Sequence, residues 1–223
     1  MITLGFTLGY ILLFVLGDRY NKSLITGFLS GVSDVFNKNF FQFGVNAKDL
    51  YIKDSAENYS SYATGRVNIA KVNINFTLQP RQNVFVWFFE YVLSFFFAVA
   101  ESPEDRVDIV ITPSAEYDNF ILGFVSKLGM NESRNLNYYL SLTKTTDSPS
   151  LPQSFVYMSE ANEFQEKLTT QEIKAVLNNS VTTSFLKYLA FTDQPAVKPD
   201  SIKECYPNRR IVISANLTTR RNN

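Results

Sequence analysis

Hydrophobic and polar positions change period several times along the chain. Ile2 to Leu16 reads ITLGFTLGYILLFVL, 15 residues without a charge, and Asp18, Arg19 and Lys22 follow at once. As a helix this run would be about 22 Å long at roughly 1.5 Å per residue, against a hydrocarbon core of about 30 Å. The expectation is a transmembrane anchor over residues 1–18, either a shortened span or the end of one whose chain begins upstream of Met1. Basic residues on its C-terminal side predict N-terminus out, with residues 19–223 forming a cytosolic globular domain. A cleaved signal peptide lacks its basic n-region and an A-x-A-like site near Gly17; a buried apolar helix is the remaining reading. Residues 23–38 then predict an amphipathic helix, with Ile25, Phe28, Leu29, Val32, Val35 and Phe36 at helical spacing.

From Gly65 the period becomes two. Val72, Ile74, Phe76 and Leu78 alternate with Asn73, Asn75 and Thr77, the pattern of a half-buried strand. Val67 and Ile69 have the opposite parity, which predicts a bulge near Ala70. A second strand is expected at 106–111. Thr112-Pro113 then reads as a helix start, followed by a stripe of Tyr117, Phe120, Ile121, Phe124, Val125 and Leu128 that Gly129 ends. Strands are expected at 138–142 and 154–158, and helices at 159–168, from the capping box Thr169-x-x-Glu172, and at 182–190. A last strand covers 210–217. The fold class is therefore α+β: an N-terminal transmembrane helix, then one mostly antiparallel sheet with helices packed on one face.

The most apolar stretch is NVFVWFFEYVLSFFFAVA at 83–100. Glu90 near its centre would cost on the order of 2.5 to 3.5 kcal/mol at mid-bilayer. The strands on either side look like parts of one sheet, so a single crossing would separate them. It reads instead as a helix returned to the same side, its Phe-rich surface meeting lipid headgroups or another membrane protein. The competing reading is a core helix buried all round.

Composition narrows the chemistry. Lys plus Arg and Asp plus Glu balance at 21 each, and histidine is absent. That removes Ser-His-Asp and Cys-His catalysis and most zinc or haem ligation. The single cysteine, Cys205, suits a reducing compartment. No phosphate-binding glycine loop or nucleophile elbow occurs, Glu101, Glu104 and Asp105 read as a solvated loop, and nothing implies a catalytic residue, a metal or a cofactor. Six N-x-S/T sequons, at Asn21, Asn58, Asn75, Asn131, Asn178 and Asn216, argue against a cytosolic orientation and are taken as unused.

The order of several short motifs carries a resemblance. Gly65-Arg66-Val67 opens a strand, Leu78-x-x-Arg81-Gln82 precedes the apolar helix, and a charged loop leads into Val107-x-Ile109. Phe191-Thr192-Asp193-Gln194 is followed later by Arg209-Arg210-Ile211-Val212-Ile213. In this order the chain resembles the calumin family, the coiled-coil-containing subunit of the endoplasmic-reticulum PAT complex (protein associated with the translocon), from about Ile11 to Leu217. The acidic luminal region and the long basic coiled coil of that family are not in this sequence.

The resemblance implies a non-enzymatic factor in the endoplasmic reticulum membrane. It would sit beside the Sec translocon channel and the ribosome and assist insertion and folding of multi-pass membrane proteins, with a PAT-complex chaperone as a further partner. Ribosomal RNA would be met mainly through the absent basic coiled coil, a salt-sensitive contact. Partner or membrane contact is assigned to Arg19, Lys22, Arg81, Trp87, Phe88, Phe89, Phe95 and Phe96, and ribosome-side basic character to Arg220 and Arg221. The alternative is a membrane-anchored lipid-binding or lipid-transfer module, in which sheet and apolar helix enclose an acyl chain. A membrane-bound enzyme is the third reading.

Overall fold

The computed structural model describes residues 2–46, 49–96, 104–200 and 208–217, and the chain divides into two compact units. The first comprises Met1–Arg66 and Asn73–Val107, the second Val67–Val72 and Asp108–Asn223. Two strands contribute residues to both.

The first unit opens on one uninterrupted helix, α1 (Ile2–Asn39, 38 residues). It merges the expected anchor and the expected amphipathic helix without a break at Gly17. Two short strands follow, β1 (Gln42–Phe43) and β2 (Ile52–Lys53), then β3 (Asn58–Thr64) and β4 (Ile69–Thr77). β1 and β2 both pair antiparallel with β3, through Phe43↔Ala63 and Lys53↔Tyr59, and β4 lies on the other side of β3. The C-terminal half of α1 supplies the cover for this small sheet. Ile25 and Leu29 are wholly buried, Phe28 meets Phe76 edge-on at 5.5 Å, and Phe36 stacks on Phe43 at 4.8 Å. The opposite parity of Val67 and Ile69 comes from a turn, not a bulge. Gly65 and Asn68 both have positive φ, at 87° and 66°, reversing the chain between β3 and β4. A side chain at Gly65 would also collide with Phe41.

After β4 the turn at Pro80–Asn83 launches α2 (Val84–Phe96), the helix expected from the aromatic run. Among the described residues no helix is long and apolar enough to cross a membrane, so the expected N-terminal transmembrane helix is absent from the structure. The uncharged part of α1 stops at Asp18 after about four turns, and α2 at 13 residues would extend only about 20 Å. The charge asymmetry around residues 18–22 then loses its meaning as a topology signal, because that rule applies to the flanks of a span.

The second unit is built on the strand order β4-β5-β10-β9-β6-β8-β7. Its strands are β5 (Arg106–Pro113), β6 (Leu122–Ser126), β7 (Lys144–Thr146), β8 (Phe155–Ser159), β9 (Leu186–Thr192) and β10 (Arg210–Asn216). The registers described for β10/β9, β9/β6, β6/β8 and β8/β7 are all antiparallel, as expected for the sheet. A 3-10 turn (Lys127–Gly129), α3 (Met130–Leu136) and α4 (Tyr138–Ser141) follow β6. α5 (Asn162–Leu168), α6 (Gln171–Asn178) and α7 (Ser180–Phe185) lie between β8 and β9.

Helices cover both faces of this sheet, not one. On one face Ile121, Val125, Val156 and Met158 join Tyr139 and Leu140 of α4. On the other, Leu122, Phe124, Phe155 and Tyr157 join Leu177 of α6, with Phe164, Ile173 and Phe185 alongside. β6 and β8 are buried at every position. A strand buried on both faces loses its period-two signature, and for this reason the stripe at 117–128 resembled a helix. The segment at 138–142 forms a short helix where a strand was expected. In 182–190 only the start is helical; Leu186–Thr192 alternates buried and half-buried as a strand.

Candidate functional site

Five polar residues of loop and helix, Asp18, Asn21, Arg81, Gln82 and Asp105, tie the first unit together. The centre is the Leu78-x-x-Arg81-Gln82 motif, which lies in the turn between β4 and α2. The Arg81 guanidinium donates to both carboxylate oxygens of Asp105, at 2.7 and 2.6 Å, and to Asn21 Oδ1 at 3.0 Å. It also lies 4.9 Å from the Tyr20 ring centroid. Asp105 is 1% exposed and accepts additionally from the Gln79 N–H at 3.1 Å. The expectation of a solvated loop for Asp105 is therefore corrected. A carboxylate this buried is stable only with a paired, hydrogen-bonded partner, and a bidentate guanidinium supplies one.

Neighbouring residues extend the same clasp into α1. Asn21 is fully buried and its amide donates to the Gln79 carbonyl at 3.1 Å. The Gln82 amide donates to Asp18 Oδ1 at 2.9 Å and to the Ala56 carbonyl at 3.1 Å. Asp18 also receives Lys22 and Lys53, each at 2.7 Å. Asp18, Asn21 and Lys22 stand at i, i+3 and i+4, one face of a helix. Gly17 belongs to the same contact: a Cβ there would collide with the Arg81 carbonyl. The Lys22 and Lys53 ammonium groups hold the Asp18 carboxyl below its ordinary value, and Asp18 in turn raises Lys22.

Beyond the clasp, both helices are apolar and uncovered. Every side chain of α1 from Ile11 to Leu16 is exposed. On α2, Phe85, Val86, Phe88, Phe89 and Tyr91 are exposed, with Phe88 at 60% and Phe89 at 65%. Tyr10 and Phe85 stack at 6.1 Å, so the two apolar segments adjoin. Asn83 starts α2, its Oδ1 accepting the Val86 N–H at 3.3 Å and its carbonyl the Trp87 N–H at 2.9 Å. An apolar patch of this kind marks an interaction surface, because water-soluble surfaces rarely leave so many large apolar side chains contiguous.

The expected contact residues separate into two groups. Trp87, Phe88 and Phe89 lie on the exposed apolar helix, Trp87 half-covered by Tyr91 at 6.0 Å and donating to Gln79 Oε1 at 3.3 Å. Phe95 and Phe96 end the same helix. Arg19 is exposed at the base of the apolar part of α1, and Lys22 is exposed but ion-paired with Asp18. Arg81 faces inward and serves the clasp. Arg220 and Arg221 lie outside the described residues. The sequence reading missed Asp18, Asn21, Gln82 and Asp105 as a set, and missed the uncovered α1 residues as part of an exposed surface.

The remaining motifs are also brought together. Phe191 pairs with Ile211 and Thr192 with Arg210 across β9 and β10, and Arg210 Nη2 donates to the Gln194 carbonyl at 2.6 Å. Arg66 Nη1 donates to Asn39 Oδ1 at 3.1 Å and lies over Phe40, at the turn that Gly65 opens. The Gly65-Arg66, Arg81-Gln82 and Thr192–Gln194 motifs thus mark chain reversals or joins between elements. No group of three or more His, Cys, Asp or Glu among the described residues is placed to hold a metal ion.

The described residues thus combine a sheet scaffold, a buried polar clasp and an exposed apolar helical surface. Residues 1–223 match the family of PAT complex subunit CCDC47, and the chain belongs to that family. It is similar to the UPF0674 endoplasmic reticulum membrane protein of Saccharomyces cerevisiae, at 33% identity over 183 residues, 73% of this chain and 45% of the relative. It is also similar to the UPF0674 endoplasmic reticulum membrane protein of Schizosaccharomyces pombe, at 27% identity over 217 residues, 93% of this chain and 58% of the relative. The chain spans about half the length of the curated relatives it matches.

Two outcomes test the clasp. Arg81→Met strands the Asp105 carboxylate and is expected to destabilise by about 3–5 kcal/mol, while adding Asp105→Leu recovers most of that loss; denaturant midpoints of the two single variants and the double variant give the coupling. Asp18 has a lower pKa folded than unfolded, so it binds fewer protons in the native state. Its contribution is complete above its ordinary value near 3.8 and disappears as pH falls through the lower folded value. Asp18→Asn is expected to flatten that part of the stability–pH curve, read from thermal midpoints across the acid range.

Proposed function

We propose that this chain works at the endoplasmic reticulum membrane as a non-enzymatic subunit of a PAT-type complex, assisting insertion and folding of multi-pass membrane proteins beside the Sec translocon channel and the ribosome. The observation that carries the reading is the uncovered surface of α1 and α2, rooted in the clasp, in a chain whose family is that of a PAT complex subunit. The names of the two yeast relatives support a role at that membrane. Among the described residues no helix is both long and apolar enough to cross a bilayer. The surface of α1 and α2 instead suits lateral contact, with the apolar flank of a membrane protein or with the interfacial layer of the bilayer, where aromatic side chains such as Trp87 and Tyr91 are stable.

In this reading Phe85, Phe88 and Phe89 provide the contact and Arg19 flanks it, while Arg81 acts only through the shape it imposes. Affinity purification of the tagged chain from mildly solubilised membranes is expected to recover Sec-channel and ribosomal proteins. Phe88→Glu with Phe89→Glu is expected to lower that recovery by about tenfold or more, as hot-spot aromatics dominate such interfaces, with an unchanged thermal midpoint because both side chains are exposed. Recovery that is absent in wild type, or equal in the variant, overturns the reading.

The same proposal places both units on the cytosolic side, a placement that the lone Cys205 supports. The sequons provide the test. Asn21 is fully buried with both ends of its amide bonded, whereas Asn58 and Asn131 are exposed. Expression in cells is expected to give no endoglycosidase-sensitive mass on Asn58 or Asn131, and glycan on either one refutes the cytosolic placement.

A further inference from the structure

The second unit holds a polar pocket of about 410 Å³ that the proposed role does not use. Four hydroxyl groups line it: Ser148 and Ser150 from the loop after β7, Tyr157 from β8, and Thr169 at the end of α5. Gln165 of α5 and Lys174 of α6 complete its sides, and the exposed Asp147 and Glu166 stand at its rim.

The protons of these hydroxyls can be placed one after another. The Thr169 hydroxyl bonds the Gln165 backbone carbonyl, which can only accept, so Thr169 donates there. Thr169 Oγ1 must then accept from Tyr157 Oη at 2.8 Å. Tyr157 in turn accepts from Ser150 Oγ at 3.1 Å, and Ser150 from Ser148 Oγ at 3.0 Å. The Ser150 N–H donates to Ser148 Oγ at 3.3 Å, in agreement with that order. Every proton of the chain is committed, so the hydroxyl oxygens offer the pocket only spare lone pairs. Gln165 adds a further acceptor. It is 7% exposed, its Nε2 donates to Ser159 Oγ at 2.6 Å and to Asn162 Oδ1 at 3.2 Å, and its Oε1 has no partner among the described residues.

Such a lining selects its ligand by hydrogen-bond polarity. It offers acceptors, so the ligand must donate, which a carboxylate anion cannot do. A cation donates but finds no net field: Asp147 is paired with Lys127 at 2.8 Å, and Glu166 shares the lining with Lys174. An apolar group would leave the buried acceptors without donors. A neutral polyol meets each demand, because its hydroxyls donate to the spare lone pairs and accept from the Lys174 ammonium and the Asn162 amide. Size agrees: the space holds about thirteen water-sized groups at about 30 Å³ each, and a hexose or an inositol has about that many heavy atoms. We propose that this pocket binds a single-ring polyol, a hexose or an inositol, free in solution. The site belongs to the second unit alone and does not rest on the translocon reading.

The test follows isotope-labelled amides of the intact chain by NMR during titration with glucose, myo-inositol, arginine and a high-mannose oligosaccharide. The expected result is saturable shifts at Ser150, Gln165 and Lys174 with glucose or myo-inositol, and weaker binding of arginine. Monofluorinated analogues of glucose test the hydrogen-bond polarity. Fluorine takes the place of a hydroxyl but donates nothing, so at the positions that meet the lone pairs binding is expected to fall by about tenfold. Lys174→Met, which removes a donor without touching the hydroxyl chain, is expected to weaken the polyol by a similar factor. Absence of saturable shifts with both polyols overturns the proposal, as do fluorinated analogues that all bind like glucose or unchanged affinity in Lys174→Met. Tighter binding of arginine overturns it in favour of a cation site, and shifts with the oligosaccharide but with neither single ring overturn it in favour of a glycan.

Discussion

The first unit depends on a single buried ion pair, Arg81 with Asp105. Its surroundings explain why it persists. Burying a carboxylate alone costs several kcal/mol, and the attraction of a partner offsets this only where the remaining lone pairs and N–H groups also find partners. Here the guanidinium is bidentate on Asp105, bonded to Asn21 and stacked on Tyr20, and Asp105 also accepts the Gln79 N–H. The pair therefore couples three stretches far apart in sequence: the middle of α1, the turn after β4 and the approach to β5. A hydrophobic substitute of similar volume could fill the space, but it would not specify which turn of α1 lies against which residue of the loop. The hydrogen-bond pattern specifies that register.

Register matters because of what begins on either side. The helix α1 carries large apolar side chains on both sides of the clasp but in two environments. After the clasp, Ile25 and Leu29 are wholly buried on the small sheet; before it, Ile11 to Leu16 are all exposed. The same contact sets the start of α2 two residues after Gln82. Gly17 permits the close approach of the Arg81 carbonyl, so even a methyl group there would move α2 relative to α1. Positioning two apolar helices side by side is thus in large part the work of polar atoms, while Phe88 and Phe89 stay exposed.

Much of this was legible in the sequence, and the failures have physical causes. The strand at 72–78 and the strand at 210–216 were readable because each has one protected and one more open face, which preserves a period of two. β6 and β8 are buried on both faces, and there the periodicity carries no information; the stripe from Tyr117 to Leu128 fits a helix by spacing alone. The aromatic helix was recognised from its composition, and so was its exposed surface. The clasp was not, since Asp18, Asn21, Arg81 and Asp105 are separated by up to 87 positions and look individually like ordinary surface residues. Only the spacing of Asp18, Asn21 and Lys22 on one helical face hinted at a polar seam. The anchor failed for a different reason. An apolar run of 15 residues followed by charges is what a span's end looks like, and also what an exposed docking helix looks like.

That ambiguity bears on how the family's chemistry is carried out. An apolar helix long enough to cross the bilayer finds a stable place there by itself, whereas a shorter one leaves either polar backbone ends in hydrocarbon or apolar side chains in water. Among the described residues, the exposed apolar stretches of α1 and α2 are both of the shorter kind. At about 25 cal/mol for each Å² of apolar area, leaving several large side chains exposed amounts to several kcal/mol that burial would recover. A fold that retains such residues, and spends a fully satisfied buried ion pair on holding them in place, keeps that free energy available for association. Apolar attraction is wide and non-directional, so it suits any partner that offers an apolar flank.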